Sequence, residues 1–281
     1  MSNEPGVLYV VATPIGNLSD ISRRAIEILG QVDLVAAEDT RHTKKLLDAL
    51  AIEAPAMLSL HEHNEQERIH RILQMLQGGS RIALVSDAGT PLISDPGFPL
   101  VARCRELGLP VVAVPGPSAV ITALSVSGLP TDRFLFEGFL PRTASKRRAR
   151  LEALRDFGST MVFYESSHRI LQTLEDMRQL FGHDRHAVVA RELTKKFETV
   201  ITGELARLVE NVEADANQQR GEFVIMVAGA KLLANALDSE ARRVLDAFAD
   251  ELSPNRLARV AAKLYGGNKR DYYNYLLDRE E

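Results

Sequence analysis

Three loops rich in proline, glycine and small polar residues each follow a short apolar run of the sequence. They comprise residues 12–17 (ATPIGN), 86–97 (SDAGTPLISDPG) and 114–119 (VPGPSA). Turns of this composition leave backbone N–H and C=O groups exposed, and ligands of α/β proteins bind beyond the carboxyl ends of the strands. The loops therefore predict one ligand site that is built largely from backbone groups.

The glycine spacing in these loops excludes two common nucleotide-binding motifs. Residues 12–17 do not form G-x-G-x-x-G, and residues 86–97 lack the G-x-x-x-x-G-K-[ST] of a P-loop. The second loop instead suits a ligand with amino-acid and adenosine parts, because backbone polar groups can select both without charged side chains. In the third loop, Ser118 is placed to cap an apolar helix over residues 119–127. The first N–H groups of this helix could donate hydrogen bonds to a bound carboxylate. For each loop, an ordinary surface turn is the alternative.

Carboxylates follow two further apolar runs at the same kind of position. Glu38 and Asp39 begin the segment EDTRH, and Glu165 lies in the segment YESSHR. A carboxylate or an imidazole at a binding site can accept a proton as a general base. Charged side chains at a strand end are, however, usually solvated or cap the next helix. A catalytic role and a capping role therefore both stay open.

A run of basic residues follows the apolar segment at 134–139. Residues 142–150 (RTASKRRAR) contain five basic side chains and no acidic one. Arginine and lysine can contact the phosphates of a nucleic acid. Positive charge is mildly unfavourable at the start of a helix, which favours a functional reason for the run. A solvated helix face is the alternative interpretation.

Strands and helices alternate along the first 230 residues and would bring these loops together. Helical spacing is found at 21–29 and 65–76, and apolar runs predict strands at 7–11, 33–37, 81–85, 110–114, 134–139, 161–164, 187–190, 199–202 and 223–227. After Gly229 only helices are predicted. The pattern is typical of an α/β protein with two lobes. We place these lobes at residues 1–120 and 121–230, with a small helical domain at 231–281.

Composition sets the class of protein. Of the 281 residues, 45% are hydrophobic and 26% are charged, which excludes a wholly disordered chain. The net charge of −4 argues against a uniformly basic nucleic-acid-binding protein but allows a local basic patch. The single cysteine, Cys104, excludes an intramolecular disulfide, and we expect no bound metal. Because the sequence lacks a membrane-length apolar run and a secretion signal, we expect a soluble, cytoplasmic protein with no membrane partner.

Eight motifs occur in one order over residues 8–224 and together resemble a known family. They are LYVVATPIGNLSD, LVAAEDTRHT, ALVSDAGTPLISDPG, VPGPSA, EGFLP, FYESSHR, RELTKKFET and GEFV. The chain resembles the ribosomal RNA small-subunit methyltransferase I family, whose members methylate a ribose 2′-hydroxyl of 16S rRNA. The resemblance implies a tetrapyrrole-methylase-like fold, in which two α/β lobes hold S-adenosylmethionine in the cleft between them, with a small C-terminal helical domain.

The resemblance also implies which residues contact the methyl donor. The turn that contains Pro14 stands where corrin-pathway relatives have G-x-G-P-G-D, with Asn17 in place of the aspartate, so a role for that carboxylate is in doubt here. The second loop stands where those relatives have G-G-D-P. The implied donor contacts are Pro14, Asp87, Ala88, Gly89, Ile93, Ser118, Ala119, Tyr164 and Leu193.

The reaction implied by the resemblance is methyl transfer from S-adenosylmethionine to the ribose of one cytidine in 16S rRNA of the small ribosomal subunit. Glu38, Asp39 and Glu165 are the candidate general bases. Arg41 would orient a phosphate beside the target, and the other expected RNA contacts are Arg142, Lys146, Arg147 and Arg148. Members of the family typically pair, so we expect a homodimer. Two alternatives stay open, namely C-methylation of a tetrapyrrole such as a corrin precursor and a non-catalytic ribosome assembly factor.

Overall fold

The first lobe is built on a five-stranded parallel sheet. The computed structural model describes residues 5–61, 65–230 and 239–277. The strands of this sheet lie in the order β3-β2-β4-β1-β5, and their bounds are β1 Val7–Val11, β2 Leu34–Ala37, β3 Ala56–Ser59, β4 Arg81–Val85 and β5 Val111–Val114. All four residues of β2 are buried, as expected for a parallel strand covered on both faces of the sheet. The carboxyl ends of the parallel strands share one edge, and the three proline- and glycine-rich loops begin there.

Helices cover both faces of this first sheet. Their bounds are α1 Arg23–Leu29, α2 Thr40–Ala49, α3 Glu65–Gln77 and α4 Phe98–Glu106. One apolar cluster joins Leu8 and Ile82 to side chains of α3 and α4, and a second joins Val35 to side chains of α1 and α2. The two clusters lie on opposite sides of the sheet, so the strand-end loops project from a rigid base.

The second lobe has a mixed five-stranded sheet. Its strand order is β6-β7-β10-β8-β9, with β6 parallel to β7 and the other pairs antiparallel, and the bounds are β6 Phe134–Phe139, β7 Thr160–Ser166, β8 His186–Arg191, β9 Thr199–Glu204 and β10 Glu222–Val227. Helix α5 (Ala119–Ser127) packs on one face of this sheet, where Val120 and Leu124 join the cluster that contains Val162 and Met226. The other face is covered by α6 Ala144–Leu154, α7 Ile170–Phe181 and α8 Leu205–Ala214.

Three short helices form a separate apolar cluster near the C-terminus. They are α9 Ser239–Phe248, α10 Pro254–Tyr265 and α11 Lys269–Leu277. Leu245, Leu257 and Leu276 are buried among them, and the Tyr272 hydroxyl donates a hydrogen bond to the Gly266 carbonyl at 2.8 Å. The helical character expected after Gly229 is therefore confirmed for the described part of this region.

The predicted α/β class with two lobes and a terminal helical segment is confirmed, and each predicted strand is found within two residues at each end. The prediction did not include β3, α2 or α4, which the structure contains. Ser118 and Ser253 precede α5 and α10 as predicted, but neither side chain makes a capping hydrogen bond. The limits at residues 120 and 231 stay predictions, and residue 231 lies outside the described residues. Within the described ranges, no helix has the length and apolar character needed to cross a membrane.

Candidate active site

A cavity of about 480 Å³ lies between the loops of the first lobe and one face of the second sheet. A volume of this size is typical of small-molecule and cofactor sites. The first lobe contributes residues that follow β1, β2, β4 and β5, and the second contributes residues of β6, β7, β8 and β10. The lining residues are Ile15, Glu38, Asp87, Ala88, Gly89, Thr90, Ile93, Ser94, Asp95, Ser118, Ala119, Phe139, Tyr164, Glu165, Ser166, Ser167, Ala190, Leu193, Gly221, Glu222, Phe223 and Val224.

Hydrogen bonds tie the three strand-end loops of the first lobe into one wall. The Thr13 N–H donates to the Gly89 carbonyl at 2.9 Å, and the Gly89 N–H donates back to Thr13 at 3.1 Å. The hydroxyl of Thr90 donates to the Pro117 carbonyl at 3.0 Å, which connects the second loop to the third. Gly89 has a φ of +83°, a conformation that glycine adopts without steric cost. These hydrogen bonds therefore hold the three loops in fixed positions relative to one another.

Two apolar side chains of the cavity wall are each held between residues of unusual backbone conformation. Ile93 lies between Leu92 (φ 74°) and Ser94 (φ 71°), and Leu193 lies between Glu192 (φ 50°) and Thr194 (φ 66°). Non-glycine residues with positive φ are uncommon, and such strain concentrates at functional sites. Ile93 remains 39% exposed although it is apolar, so a ligand in the cavity would cover it.

Three carboxylates from the first lobe face this cavity. They belong to Glu38, Asp87 and Asp95. The Asp87 N–H donates to Glu38 Oε2 at 3.4 Å, and Asp87 Oδ1 accepts a hydrogen bond from the Asp39 N–H at 3.1 Å. Burial, followed by repulsion from Glu38, raises the pKa of Asp95 to about 6, against an opposing hydrogen bond from Ser86. Burial and the charge of Asp95 also raise the pKa of Tyr164 to about 12.

Asp39, a candidate general base, makes the contacts of a helix cap. It is the N-cap of α2, where its Oδ1 accepts the Arg41 N–H at 2.8 Å, and its Oδ2 pairs with the Arg41 guanidinium at 2.8 Å. These bonds to Arg41 hold the pKa of Asp39 well below its ordinary value. Asp39 is not among the residues that line the cavity. A carboxylate so fully engaged is a weak proton acceptor, so these contacts favour the capping interpretation over the catalytic one.

The contacts of Glu165 also favour a structural role over that of a general base. Its side chain is fully buried and accepts hydrogen bonds from the Thr173 hydroxyl at 2.7 Å and the Ser166 N–H at 2.8 Å. Arg169 lies 3.3 Å from its Oε2 and also donates to the Leu140 carbonyl. Because a buried charge must be paired, this network holds β7, α7 and the loop after β6 together. Glu165 is part of the wall but acts as a structural residue.

Eight of the nine residues expected to contact the methyl donor line the cavity. That they bind the donor stays a prediction. The eight are Asp87, Ala88, Gly89, Ile93, Ser118, Ala119, Tyr164 and Leu193. Pro14 does not line it, whereas its neighbour Ile15 does. The sequence prediction also omitted Asp95 and Phe139. The sequence does contain a signal for Asp95, because it is the second aspartate of the loop at residues 86–97, whose composition predicts a ligand site.

The run of basic residues at 142–150 is not a uniform RNA-binding surface. Arg147 is buried, and its guanidinium pairs with the fully buried Asp176 at 2.6 Å, so the prediction that it contacts RNA is wrong. Arg148 is half-exposed and donates to the other oxygen of Asp176 at 2.8 Å. Arg142 and Lys146 are exposed, and they remain the available cations of this run for RNA. Arg41 is exposed as well, although it is paired with Asp39.

No cluster of three or more His, Cys, Asp or Glu side chains suited to a metal ion occurs in the described part of the chain. Cys104 is buried, and burial raises the pKa of its thiol to about 11. A thiol that stays protonated is a poor nucleophile. The polar groups that line the cavity are carboxylates, hydroxyls and backbone groups.

Comparison with known proteins places this geometry in a family. Residues 7–209 match the family model described as Tetrapyrrole (Corrin/Porphyrin) Methylases. The chain is 52% identical to Ribosomal RNA small subunit methyltransferase I of Pseudomonas aeruginosa, with 98% of both chains covered. It is 49% identical to the protein of that name from Escherichia coli O157:H7, over 99% of this chain and 97% of the relative. The chain belongs to the ribosomal RNA small subunit methyltransferase I family.

Solved structures of this wider methylase group share the fold. Cobalt precorrin-4 methyltransferase is 18% identical with a TM-score of 0.58, covering 79% of this chain and 94% of that one. Uroporphyrin-III C-methyltransferase from Thermus thermophilus, in complex with S-adenosylhomocysteine, is 16% identical with a TM-score of 0.55, covering 79% of this chain and 97% of that one. Membership in the small subunit methyltransferase I family confirms the expected resemblance and makes the chain an S-adenosylmethionine-dependent methyltransferase. The tetrapyrrole and assembly-factor alternatives are not favoured.

Proposed function

We propose that this enzyme transfers a methyl group from S-adenosylmethionine to the ribose 2′-hydroxyl of one cytidine in 16S rRNA. The observation that carries the proposal is the 52% identity to a small subunit methyltransferase I over 98% of both chains. The substrate is the RNA within the small ribosomal subunit, and the enzyme acts in the cytoplasm as a homodimer.

The residues around the cavity suit the methyl donor. Ile93 and Leu193 provide apolar surface for an adenine ring. Helix α5 has nine residues, and because Ser118 does not cap it, its first N–H groups can receive the carboxylate of the methionine part. Asp87 and the backbone of Ala88 and Gly89 can bind hydroxyl and ammonium groups. We therefore propose that these residues, with Ala119 and Tyr164, hold the donor.

The tasks that remain for the protein are alignment and proton transfer. The sulfonium of S-adenosylmethionine supplies an electrophilic methyl group. The hydrogen-bonded loops of the first lobe hold the methyl donor. Residues of β7 and β10 line the part of the cavity that is left for the ribose. Holding two reactants in line accounts for several kcal/mol of catalysis, on the order of 7–11 in favourable cases. A ribose hydroxyl also has to lose its proton as it attacks.

A labelling experiment tests this function. Small ribosomal subunits from a strain that lacks the activity are incubated with the enzyme and S-adenosylmethionine tritiated in its methyl group. We expect label in 16S rRNA, confined to the ribose of one cytidine after nuclease digestion and nucleoside separation. Label on a base, label on a corrin precursor but not on RNA, or no label would contradict the proposal.

The exposed cations at the start of α6 give a prediction about RNA binding. Changing Arg142 and Lys146 together to Ala should weaken binding of the small subunit and make it less sensitive to salt. Each lost phosphate contact lowers the slope of log K against log salt by about 0.7–0.9. The measurement is a salt titration of binding. The control is the matched double variant Arg23→Ala with Arg103→Ala, whose side chains are exposed and ion-paired on α1 and α4. Equal slopes for wild type and the first variant would show that these cations are merely solvated.

A further inference from the structure

Asp95 reaches the cavity on a loop that is held at several points. The preceding residue, Ser94, lies close to Gly138 of the second lobe. A Cβ added to Gly138 would be 3.0 Å from the Ser94 hydroxyl. Gly97 packs on Leu84, and a Cβ there would lie 2.9 Å from Leu84 Cδ2. Gly138 marks a bulge in the pairing of β6 with β7. The carboxylate of Asp95 is thus carried on a fixed backbone at the junction of the two lobes.

The other carboxylates around the cavity have assigned partners. Asp87 accepts a hydrogen bond from the Asp39 N–H, and Glu38 accepts one from the Asp87 N–H. Glu165 is fixed by Thr173 and Arg169, as described above. Glu222 pairs with Lys195 at 2.7 Å. Asp95 accepts a hydrogen bond from the Ser86 hydroxyl and faces the negative charges of Glu38 and Asp87.

The surroundings of Asp95 make it a stronger base than an ordinary aspartate. Burial is the main cause of its raised pKa, and the negative charges of Glu38 and Asp87 add to it. A general base is most effective when its pKa approaches the working pH while the group is still ionised. With a pKa raised to about 6, Asp95 is mostly ionised at neutral pH and yet more basic than an ordinary carboxylate.

We propose that Asp95 is the proton acceptor for the attacking ribose hydroxyl, an inference that rests on the proposed function. The proton leaves the 2′-oxygen for the carboxylate of Asp95 while that oxygen forms its bond to the methyl carbon. The bond between the methyl carbon and sulfur breaks, and its electron pair returns to sulfur, which gives neutral S-adenosylhomocysteine. Asp95 then releases the proton to solvent. Glu38 is a positioning residue in the electrostatic sense, since its charge adds to the effect of burial on the basicity of Asp95.

The variant Asp95→Asn keeps the size of the side chain and removes its ability to accept a proton. We expect kcat/KM for methylation of small subunits at pH 8 to fall by about 10²–10⁴-fold, the usual contribution of a general base. Binding of S-adenosylhomocysteine, measured by calorimetry, should stay within about threefold. A matched Asp20→Asn variant, in an exposed 3-10 helix outside the cavity, should retain wild-type rates.

The pH dependence separates proton transfer from a structural role. In the wild type, log kcat/KM should rise with pH up to about 6 and then level off, because Asp95 has to be ionised. Glu38→Gln removes a charge that raises this pKa, so the rise should move to lower pH, by about half a unit or more. The fit of the pH profile has to include the other titratable groups around Asp95. These are Glu38, Asp87 and Tyr164, with Glu165 and Glu222 farther along the cavity wall.

The results of these experiments distinguish a failure of this inference from a failure of the proposed function. If wild-type enzyme labels the cytidine ribose and Asp95→Asn does so at a similar rate, Asp95 is not the proton acceptor and the function stands. An unmoved acidic limb in Glu38→Gln would also overturn the assignment. If wild-type enzyme labels no ribose while binding S-adenosylhomocysteine, the proposed function fails and this inference fails with it.

Discussion

Replacing Arg147 by Ala is expected to lower the free energy of unfolding by about 3 kcal/mol, because it leaves the buried charge of Asp176 with half of its partners. The side chain of Asp176 is fully buried, and that of Arg147 is 4% exposed. The Arg147 guanidinium gives Asp176 Oδ2 two contacts, at 2.7 Å from Nε and 2.6 Å from an Nη. Arg148 would still hold the other carboxylate oxygen, which keeps the loss at the lower end of the range for broken buried pairs. Denaturant unfolding monitored by circular dichroism measures the effect.

The matched control for this prediction is Arg148→Ala. Arg148 binds the same carboxylate, but its side chain is 50% exposed, so its removal should cost about 1 kcal/mol or less. Replacing the buried pair together, as Arg147→Met with Asp176→Leu, should recover most of the stability, because the only charge left without its partner is that of the half-exposed Arg148. Equal losses for Arg147→Ala and Arg148→Ala would show that burial of the pair does not determine its contribution.

The variant Gly16→Ala is expected to weaken binding of S-adenosylhomocysteine about tenfold, which corresponds to about 1.4 kcal/mol. A Cβ at Gly16 would lie 2.4 Å from Lys195 Cγ, 2.8 Å from the Thr194 hydroxyl and 3.1 Å from the Leu193 carbonyl. Lys195 cannot move aside easily, because its ammonium pairs with Glu192 at 2.8 Å and with Glu222 at 2.7 Å. The segment that carries Leu193 has to shift instead, and Leu193 forms part of the cavity wall.

Calorimetric titration of the variant with S-adenosylhomocysteine measures this loss. Gly30→Ala is the control, since a Cβ there would meet nothing closer than 3.6 Å and Gly30 lies at the end of α1, away from the cavity. We expect Gly30→Ala to bind as wild type does. An affinity for Gly16→Ala within twofold of wild type would mean that the contact between the first turn and the 192–195 segment does not position the donor site.

The location of the cavity could be predicted from the sequence, whereas the roles of its charged residues could not. Loop composition and strand position are local properties, so the sequence alone indicates the segments that contain Asp87, Gly89 and Ser118. The pairing of Arg147 with Asp176 joins positions 29 residues apart, and nothing in the run of basic residues indicates which member is buried. The basicity of Asp95 depends on Glu38, which reaches it because β2 and β4 are neighbours in the sheet.

The same limit applies to Asp39 and Glu165. Each residue follows an apolar run in the sequence. A capping carboxylate, a structurally paired one and a catalytic one all give this same sequence pattern. Asp39 is distinguished by its bonds to Arg41, two residues ahead, and this signal is local enough to have been found. Glu165 is distinguished by Thr173 on α7, which is brought to it by the packing of that helix on the second sheet. For Glu165, unlike Asp39, only a tertiary contact distinguishes these roles.

The order of strands in the first sheet has a consequence for synthesis on the ribosome. Strand β1 occupies the space between β4 and β5 and pairs with no earlier strand. Its five largely apolar residues emerge first, and their first partner is completed only at Val85. At about 5–20 residues per second, this interval lasts on the order of 4–15 s. During that time the nascent chain presents an unpaired apolar strand, and the first sheet can be completed only after Val114 of β5 has left the exit tunnel.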